Sequence, residues 1–235
     1  MLVACEFSGT VRDAFLDRGH NAYSCDLLPD MYASDRHYQG DVRDILDNGW
    51  DLMIGHPPCT RLCNSGVRWL TSPPKQLQAG HYSKMEQDYF EQCSPDERLA
   101  FMWDQLIAGA GLFSDLWNAE KIKHVAIENP IMHHYAKEMI LNYEKQAQVT
   151  QPWHHGEPAF KGTALWIRGC LQPLTDTNRL VRPAVGTDEH KKWSAIHRAS
   201  PGIDRWKLRS TFFQGIADAM AEQWGQQVQQ HMETA

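Results

Sequence analysis

A chain of 235 residues with 42% apolar residues is long enough for one substantial core and fits a soluble globular protein. Its net charge of −6 argues against a protein that binds nucleic acid over its whole surface. The start, "MLVACEFSG", lacks the basic residues and long apolar core of a signal peptide, and no run of about 18 apolar residues could span a bilayer. We therefore expect a cytoplasmic protein with one main domain and no membrane contact.

Short apolar runs alternate with helical stretches through the first two thirds of the chain, which is the pattern of βαβ units and a parallel sheet. "MLVACEF" predicts the first strand, "TVRDAFLDRG" a helix that ends at Gly19, "NAYSCDLL" the second strand and "WDLMIG" a later buried strand. Residues 60–93 are polar and weakly periodic. A loop of that length in a compact domain is usually functional or disordered.

The remaining elements have clearer boundaries. Ser94 as N-cap, Pro95 at the first helical position and Glu97 in a capping box predict a helix, and "KHVAIENP" predicts another buried strand. "HHYAKEMILNY" predicts a helix, "AQVTQPW" and "TALWIRG" a closing pair of strands, and "FFQGIADAMAEQWGQQVQQH" an amphipathic C-terminal helix. We expect one α/β domain from this order.

Three positions favour an adenosine-type cofactor. Gly9 lies between the first strand and its helix, where a turn exposes backbone N–H groups and allows close approach of a ligand. Asp26 ends the second strand, where a carboxylate can accept both hydroxyls of a ribose, and Asp41 follows the next strand. Each residue alone also suits a tight turn or a helix cap. Their order along the chain favours the cofactor.

The stretch "GHPPCTRLCNSG" places Cys59 just after a buried strand. Amino-methyltransferases carry an acidic or amide residue before two prolines and an aromatic residue after them, whereas here the two positions are His56 and Cys59. Carbon 5 of a pyrimidine is too weak a nucleophile to take a methyl group directly, but thiolate attack at carbon 6 creates an enamine-like intermediate that can. A buried, inert cysteine is the plain alternative.

Glu128 in "VAIENP" ends the strand that we expect beside the strand before Cys59. The two side chains could therefore meet on one base. In its protonated form, Glu128 can donate to N3 of cytosine and favour attack at carbon 6. A helix-capping acid before Pro130 is the alternative.

These motifs resemble the DNA (cytosine-5)-methyltransferases, particularly short, phage-like members. "EFSG", "CDLLP", "GDVRDI", "HPPC" and "ENP" occur in the family's order, "KGTALWIRG" occupies the place of the segment that supplies an arginine, and "RSTFFQGIADAMAEQW" resembles the last helix. The resemblance implies an α/β fold with a doubly wound, mostly parallel seven-stranded sheet, Rossmann-like, with a reversed final strand. It also implies S-adenosylmethionine as cofactor and DNA as partner.

The resemblance assigns roles residue by residue. The catalytic residues are Cys59, Glu128 and Arg168. The cofactor-binding residues are Glu6, Phe7, Ser8, Gly9, Asp26, Leu27, Asp41, Val42 and Pro57. Among the substrate-binding residues, the resemblance points to Lys161. The segment that follows Cys59 adds Arg61, Asn64, Ser65 and Arg68, and the basic stretch after residue 170 adds Lys191, Lys192 and Arg198. No metal site is expected, and residues 60–93 are expected to close over the substrate.

The chain also departs from the family pattern. The cofactor turn lacks the second and third glycines, and Lys161 and Arg168 are the only cations of the arginine segment. Residues 171–210 are too few for a large target-recognition domain, but they hold eight Lys or Arg against four acids and include Trp193 and Trp206. We expect residues 1–170 and 211–235 to form the catalytic domain and residues 171–210 a reduced DNA-contact segment. The tryptophans also suit plain core positions.

Two alternatives remain. The first is a related enzyme that modifies a pyrimidine with another one-carbon donor, or acts on RNA or a free nucleotide. The second is a zinc-dependent nucleic-acid-binding module, although Cys-x₃-Cys is a poor zinc spacing and no second cysteine pair follows. Its candidate ligands are Cys59, Cys63, His56, His133, His134, His154 and His155.

Overall fold

A computed structural model describes residues 1–78, 82–198 and 212–234. Its strands are β1 (Leu2–Ala4), β2 (Tyr23–Asp26), β3 (His37–Gln39), β4 (Leu52–Gly55), β5 (His124–Asn129), β6 (Gln148–Thr150) and β7 (Thr163–Arg168). They form one sheet in the order β3-β2-β1-β4-β5-β7-β6. The first five strands pair in parallel, and β7 is antiparallel to both of its neighbours. This order fits the Rossmann-like methyltransferase fold, so the predicted fold is confirmed.

Helices cover both faces of the sheet. Those in the described part of the chain are α1 (Thr10–Leu16), α2 (Lys84–Gln92), α3 (Pro95–Trp117), α4 (His134–Met139), α5 (Asp188–Trp193), α6 (Ala195–Arg198) and α7 (Gln214–Thr234). Strand residues alternate between two apolar clusters: Leu2 and Ala4 pack with α3, and Val3 packs with α1 and α7. The sheet therefore lies between two buried layers.

Two capping boxes explain where α2 and α3 begin. The Ser94 N–H donates to Glu97 Oε2 at 2.7 Å, and Pro95 follows, as predicted. The same arrangement occurs at Ser83, whose N–H donates to Glu86 Oε2 at 2.7 Å. Residues 60–93 are therefore not one loop: they include a 3₁₀ helix (Val67–Leu70) and α2. Weak periodicity concealed α2 because Phe90 is its one buried residue.

The order of the strands places the candidate site. β2 and β4 lie on opposite sides of β1, so the order of strands in the sheet changes direction there. The carboxyl ends of parallel strands form a crevice at such a point. The Gly9 turn follows β1, the Cys59 turn follows β4, and Glu128 lies near the end of β5. Across the described ranges, no helix combines the length and apolar character needed to cross a bilayer.

Candidate active site

Cys59 and Glu128 come together at the carboxyl ends of β4 and β5. Gly55, the last residue of β4, pairs with Ile127, so Glu128 lies one residue beyond that pair. Cys59 follows four residues after Gly55 and is partly buried. The charge of Glu128 contributes to the raised pKa of the Cys59 thiol, which places the two groups within electrostatic reach.

The turn that carries Cys59 is held by the segment after β5. Asn129 Nδ2 donates to the carbonyl of Pro57 at 2.9 Å, and the His133 N–H donates to the carbonyl of Leu62 at 3.1 Å. Both bonds join residues on opposite sides of Cys59 to the strand and loop of Glu128. The thiol and the carboxylate are therefore positioned by one hydrogen-bonded unit rather than by two independent loops.

Glu128 has a partner that the sequence did not reveal. His56 Nδ1 lies 3.3 Å from Glu128 Oε2, and each side chain is 12% exposed. Burial raises the pKa of Glu128, but the hydrogen bond from His56 and the charge of Lys161 outweigh it, so that pKa lies below its ordinary value. The carboxyl group is thus ionised at neutral pH, whereas the sequence suggested a protonated donor. His56 was weighed only as the loss of an amine acceptor and as a zinc ligand.

Cys59 and Cys63 form a coupled pair of thiols. The hydrogen bond that Cys59 donates to Cys63, followed by burial, raises the pKa of Cys59. The same bond lowers the pKa of Cys63, and hydrogen bonds from Ser65 and Gly66 add to that effect. Because such groups titrate together, the pair loses its first proton more readily than an ordinary thiol does, and its second less readily.

Unsatisfied polar atoms concentrate at this site. In the part of the chain that the structure describes, three buried side-chain atoms have no hydrogen-bond partner: His56 Nε2, Arg61 Nε and Asn129 Oδ1. His56 directly follows β4, Arg61 lies on the Cys59 turn, and Asn129 ends β5. Buried polar groups are normally paired, and exceptions require an explanation such as a functional role. Their clustering is typical of a site built for a ligand.

Gly9 forms a tight turn on the other side of the crevice. Its φ is 72°, and a Cβ at this position would clash with Arg12 Nη2. Glu6 is buried below this turn, where Oε1 accepts from the Val11 N–H at 2.7 Å and Oε2 from the Arg12 N–H at 3.2 Å. Both Glu6 oxygens thus serve the start of α1. Ser8 Oγ lies 3.1 Å from Thr10 Oγ1 on the same turn.

Four more of the predicted cofactor residues lie at the end of β2 or after β3: Asp26, Leu27, Asp41 and Val42. Asp26 ends β2, its Oδ1 accepts from the Leu28 N–H at 2.9 Å, and the next residue, Leu27, is 72% exposed. Asp41 caps the 3₁₀ helix Val42–Asp44 by accepting from the Arg43 N–H at 2.9 Å. Val42 itself is buried. Of this group, Asp26 and Leu27 offer a carboxylate and an open apolar surface side by side.

Arg168 lies at the opposite end of the sheet. It pairs with Val125 near the start of β5, whereas Glu128 pairs with Leu165. Its guanidinium donates to backbone carbonyls of Trp117, Ala119, Ile122 and Lys123 at 2.7–3.4 Å. The predicted contact of Arg168 with the base does not fit this structure. The reason is the reversed direction of β7: because β7 is antiparallel to β5 and β6, its carboxyl end lies beside their amino ends.

Lys161 lies at the end of the sheet where Cys59 and Glu128 come together. It precedes β7, and its charge helps to lower the pKa of Glu128 and partly opposes the rise in the pKa of Cys59. Its Nζ lies 5.9 Å from the ring centroid of Phe213, just before α7. His56 contacts the neighbouring Phe212, with ring centroids 4.7 Å apart. The start of α7 therefore closes the crevice above both residues.

The predicted substrate residues on the Cys59 turn differ in exposure. Arg61 is buried, and its Nη2 donates to Tyr82 Oη at 2.6 Å. Asn64 and Ser65 are exposed, and Arg68 is exposed with its guanidinium 4.2 Å from the ring centroid of Trp69. Arg61 thus supports the turn from within.

The segment after β7 folds back onto the loop before Lys161. Trp193 is 5% exposed and packs on Phe160, with ring centroids 5.3 Å apart, so this tryptophan is a core anchor. Lys191 Nζ lies 2.7 Å from Asp188 Oδ1 on the surface. Two more of the predicted DNA-contact residues, Lys192 and Arg198, are also exposed. Trp206 and the cations Arg205, Lys207 and Arg209 lie outside the described residues.

No family model matches the sequence, and no curated protein matches it. Among solved structures, a crystal structure of a Spodoptera frugiperda DNMT2 triple mutant is similar, with 11% sequence identity and a TM-score of 0.36. The match covers 80% of this chain and 55% of that chain, so this chain spans about half the length of that protein. The fold therefore rests on the order and directions of the strands, and the function rests on the geometry of the site.

Proposed function

We propose that this protein is an S-adenosylmethionine-dependent DNA (cytosine-5)-methyltransferase with Cys59 as nucleophile and Glu128 as its partner on the base. The observation that carries this proposal is the meeting of Cys59 and Glu128 at adjacent strand ends, in one hydrogen-bonded unit, beside the Gly9 turn. A thiol that must attack carbon 6 and a carboxylate that must hold the base edge need this proximity.

Cys59 forms the bond to carbon 6 of cytosine and thereby makes carbon 5 nucleophilic. Carbon 5 takes the methyl group, its proton then passes to water, and the electron pair of that C–H bond restores the ring double bond as the bond between Cys59 and carbon 6 breaks. The ionised Glu128 accepts from the exocyclic amine of cytosine. Donation to ring N3 needs a proton on the pair that Glu128 forms with His56, because Glu128 alone is a carboxylate at neutral pH.

The residues on the β1 and β2 side fit an adenosine-type cofactor. Asp26 supplies a carboxylate for ribose hydroxyls, Leu27 an exposed apolar surface for a purine, and Gly9 a turn without a Cβ. Asp41 lies beyond them after β3. When bound there, S-adenosylmethionine supplies an electrophilic methyl group. Glu6 does not need to touch the cofactor: it accepts a hydrogen bond from the Val11 N–H and thereby holds the Gly9 turn in place.

DNA as substrate requires the target cytosine to leave the stack, since Cys59 lies inside a crevice. We assign residues 60–93 to closure over the flipped base and residues 171–210 to backbone contacts. The second assignment is supported by the exposure of Lys192 and Arg198 and by the packing of Trp193 against Phe160, next to Lys161. Residues 1–170 and 211–235 then form the catalytic domain.

The proposal is tested by incubating purified protein with DNA and S-adenosylmethionine and measuring 5-methylcytosine by mass spectrometry of the digested DNA. We expect product from the wild type, none from Cys59→Ser, and product from Cys93→Ser. Cys93 is a suitable control because it is buried and its thiol donates to the carbonyl of Tyr89 at 3.3 Å, a bond that serine can keep. Cofactor binding without product on DNA contradicts the DNA assignment.

The alternatives give different outcomes in the same assay. Product on RNA or on a free nucleotide, but not on DNA, identifies the related pyrimidine-modifying enzyme, as does product that requires another one-carbon donor. The zinc module needs a cluster of donors. Within residues 1–78, 82–198 and 212–234, no group of three or more His, Cys, Asp or Glu side chains suits a metal ion.

A further inference from the structure

Cys63 lies on the same turn as the proposed nucleophile. The N–H groups of Leu62 and Cys63 both donate to the carbonyl of Cys59, at 3.1 and 3.2 Å, so the two cysteines are joined across one turn of backbone. Cys63 is 9% exposed and forms an isolated bridge with Met132 of the segment after β5. The second thiol is therefore fixed beside the first and shielded from solvent.

The hydrogen bonds around Cys63 favour a negative charge on its sulfur. Its Sγ lies 3.0 Å from Ser65 Oγ, a hydroxyl that can donate to a thiolate, and hydrogen bonds from the backbone of Ser65 and Gly66 also lower the pKa of the Cys63 thiol. Cys59 faces the carboxylate of Glu128, which disfavours a second negative charge there. The proton of the pair is therefore held by Cys59 and the charge by Cys63.

The other titratable groups near Cys59 are poor proton acceptors. Lys161 is a cation, and Glu128 is a weak base because its pKa is lowered. His133, from the segment after β5, has both ring nitrogens occupied: Nε2 lies 2.6 Å from the Arg61 carbonyl, and Nδ1 accepts from the Ala136 N–H at 3.2 Å. His56, on the same segment as Cys59, directs Nδ1 to Glu128 Oε2 at 3.3 Å and keeps a buried Nε2 without a partner, whereas Cys63 is the group that forms a hydrogen bond with the Cys59 thiol. Cys63 is therefore the acceptor in direct contact with Cys59.

We propose that Cys63 accepts the proton of Cys59 as Cys59 attacks the base, a role that rests on the function proposed above. The bond between Cys59 Sγ and carbon 6 forms, the S–H bond of Cys59 breaks, and its proton passes to Cys63 Sγ. The negative charge moves from the Cys63 sulfur to the pyrimidine ring, so charge is conserved. When Cys59 leaves the product, the proton returns to it.

The first experiment needs no substrate: the ultraviolet absorbance of thiolates is titrated in the wild type, Cys63→Ser and Cys93→Ser. Burial raises the pKa of Cys5, Cys25 and Cys170, so these residues add little signal near neutral pH. We expect a thiolate in the wild type and in Cys93→Ser that is lost near pH 5, and its absence from Cys63→Ser. A low-pH thiolate that survives Cys63→Ser overturns the proposal.

The second experiment measures the rate of covalent adduct formation with an oligonucleotide that contains 5-fluorocytosine, in the presence of S-adenosylmethionine, because fluorine replaces the proton that must leave carbon 5. Between about pH 6 and about pH 8, we expect a flat rate for the wild type and, for Cys63→Ser, a lower rate that rises about tenfold per pH unit as Cys59 ionises alone. Equal rates and slopes for the two proteins overturn the proposal.

Ser65→Ala provides a second variant that keeps both thiols. Ser65 is exposed, so its loss should leave the fold intact, and removal of its hydroxyl should raise the midpoint of the thiolate titration. An unchanged midpoint contradicts the assignment of the charge to Cys63. If the wild type forms no adduct at all, the proposed function fails, whereas the thiolate titration still decides whether Cys63 carries the charge.

Discussion

The ion pair between Arg12 and Asp30 is buried deeply enough that loss of one charge should destabilise the whole domain. Arg12 Nη1 lies 2.5 Å from Asp30 Oδ2, with the side chains 1% and 2% exposed. The same nitrogen donates to Ser24 Oγ at 2.8 Å, and Asp30 Oδ1 accepts from the N–H groups of Tyr32 and Ser34. The pair thus joins α1 to the loop after β2, next to the proposed cofactor residues.

Asp30→Asn keeps the shape of the side chain but leaves the Arg12 guanidinium without its buried counter-charge. Removal of one partner of a buried pair costs about 3–5 kcal/mol. We expect the lower end, about 3 kcal/mol, because Arg12 Nε keeps Asp13 at 2.7 Å, a carboxylate that is 49% exposed. For a domain of this size, that loss lowers the melting temperature by roughly 6–12 °C.

Asp218→Asn is the matched control for a thermal or urea denaturation series. Arg18 Nη1 lies 3.2 Å from Asp218 Oδ1, but these side chains are 32% and 43% exposed. An exposed pair contributes at most about 1 kcal/mol, because water screens it. Equal losses of stability in Asp30→Asn and Asp218→Asn would refute the argument from burial.

The pH dependence of the Asp30→Asn effect has a definite sign. Burial raises the pKa of Asp30, but hydrogen bonds from Ser34 and Arg12 outweigh it, so the folded-state pKa is lowered. The stabilisation is therefore complete above the ordinary aspartate pKa of about 3.9 and is lost as the pH falls through the folded-state value. The difference between wild type and variant should shrink in acid. A difference that grows as the pH falls contradicts this reasoning.

Four further outcomes are expected. Gly9→Ala should destabilise the fold by more than about 1 kcal/mol and weaken S-adenosylmethionine binding in calorimetry, because the turn is left-handed and a Cβ meets Arg12. Glu128→Gln should slow adduct formation by roughly 10²-fold or more while cofactor binding persists, and an unchanged rate would exclude its role on the base. Arg168→Met should lower the denaturation midpoint, because the backbone carbonyls of Trp117 and Ala119 lose the hydrogen bonds that the guanidinium donates. The rate of adduct formation by the folded variant should stay unchanged, and a large loss of rate would place Arg168 at the base. Neutral replacement of all three cations in α5 and α6 should weaken binding to all DNA sequences alike. The slope of log affinity against log salt concentration should become shallower by about 0.9 per lost phosphate contact. An unchanged slope would show that this surface does not bind DNA. These cations are Lys191, Lys192 and Arg198.

The positions of Cys59 and Glu128 were predictable because each follows a short apolar run, and the ends of neighbouring parallel strands meet at one edge of a sheet. The start of α3 was predictable from the Ser94 capping box, which is a local signal. Arg168 shows the limit of such reasoning: residue periodicity identifies a strand, but strand direction decides which end faces the site. The resemblance implied a reversed last strand, and that reversal puts Lys161, two residues before β7, at the end of the sheet where Cys59 and Glu128 lie.

The His56–Glu128 contact and the coupling of Cys59 to Cys63 could not be predicted, because both depend on distances across the finished site. His56 reaches Glu128 over 72 positions of sequence, and its effect on the pKa of Glu128 depends on burial that no local pattern encodes. The Cys-x₃-Cys spacing was instead weighed as a zinc signal. In the structure, the spacing instead brings the two thiols together as a hydrogen-bonded pair, with Ser65 Oγ 3.0 Å from Cys63 Sγ.

The most direct test of the account is to locate the covalent bond. Wild-type protein is allowed to react with a 5-fluorocytosine oligonucleotide and S-adenosylmethionine, digested with protease, and analysed by peptide mass spectrometry. The account predicts that the nucleotide is attached to Cys59, and that Cys59→Ser forms no adduct while it still binds the cofactor. Attachment to Cys63, or no adduct from a wild-type protein that binds S-adenosylmethionine, would contradict the assignment of Cys59 as the nucleophile of a cytosine-5 methyltransferase.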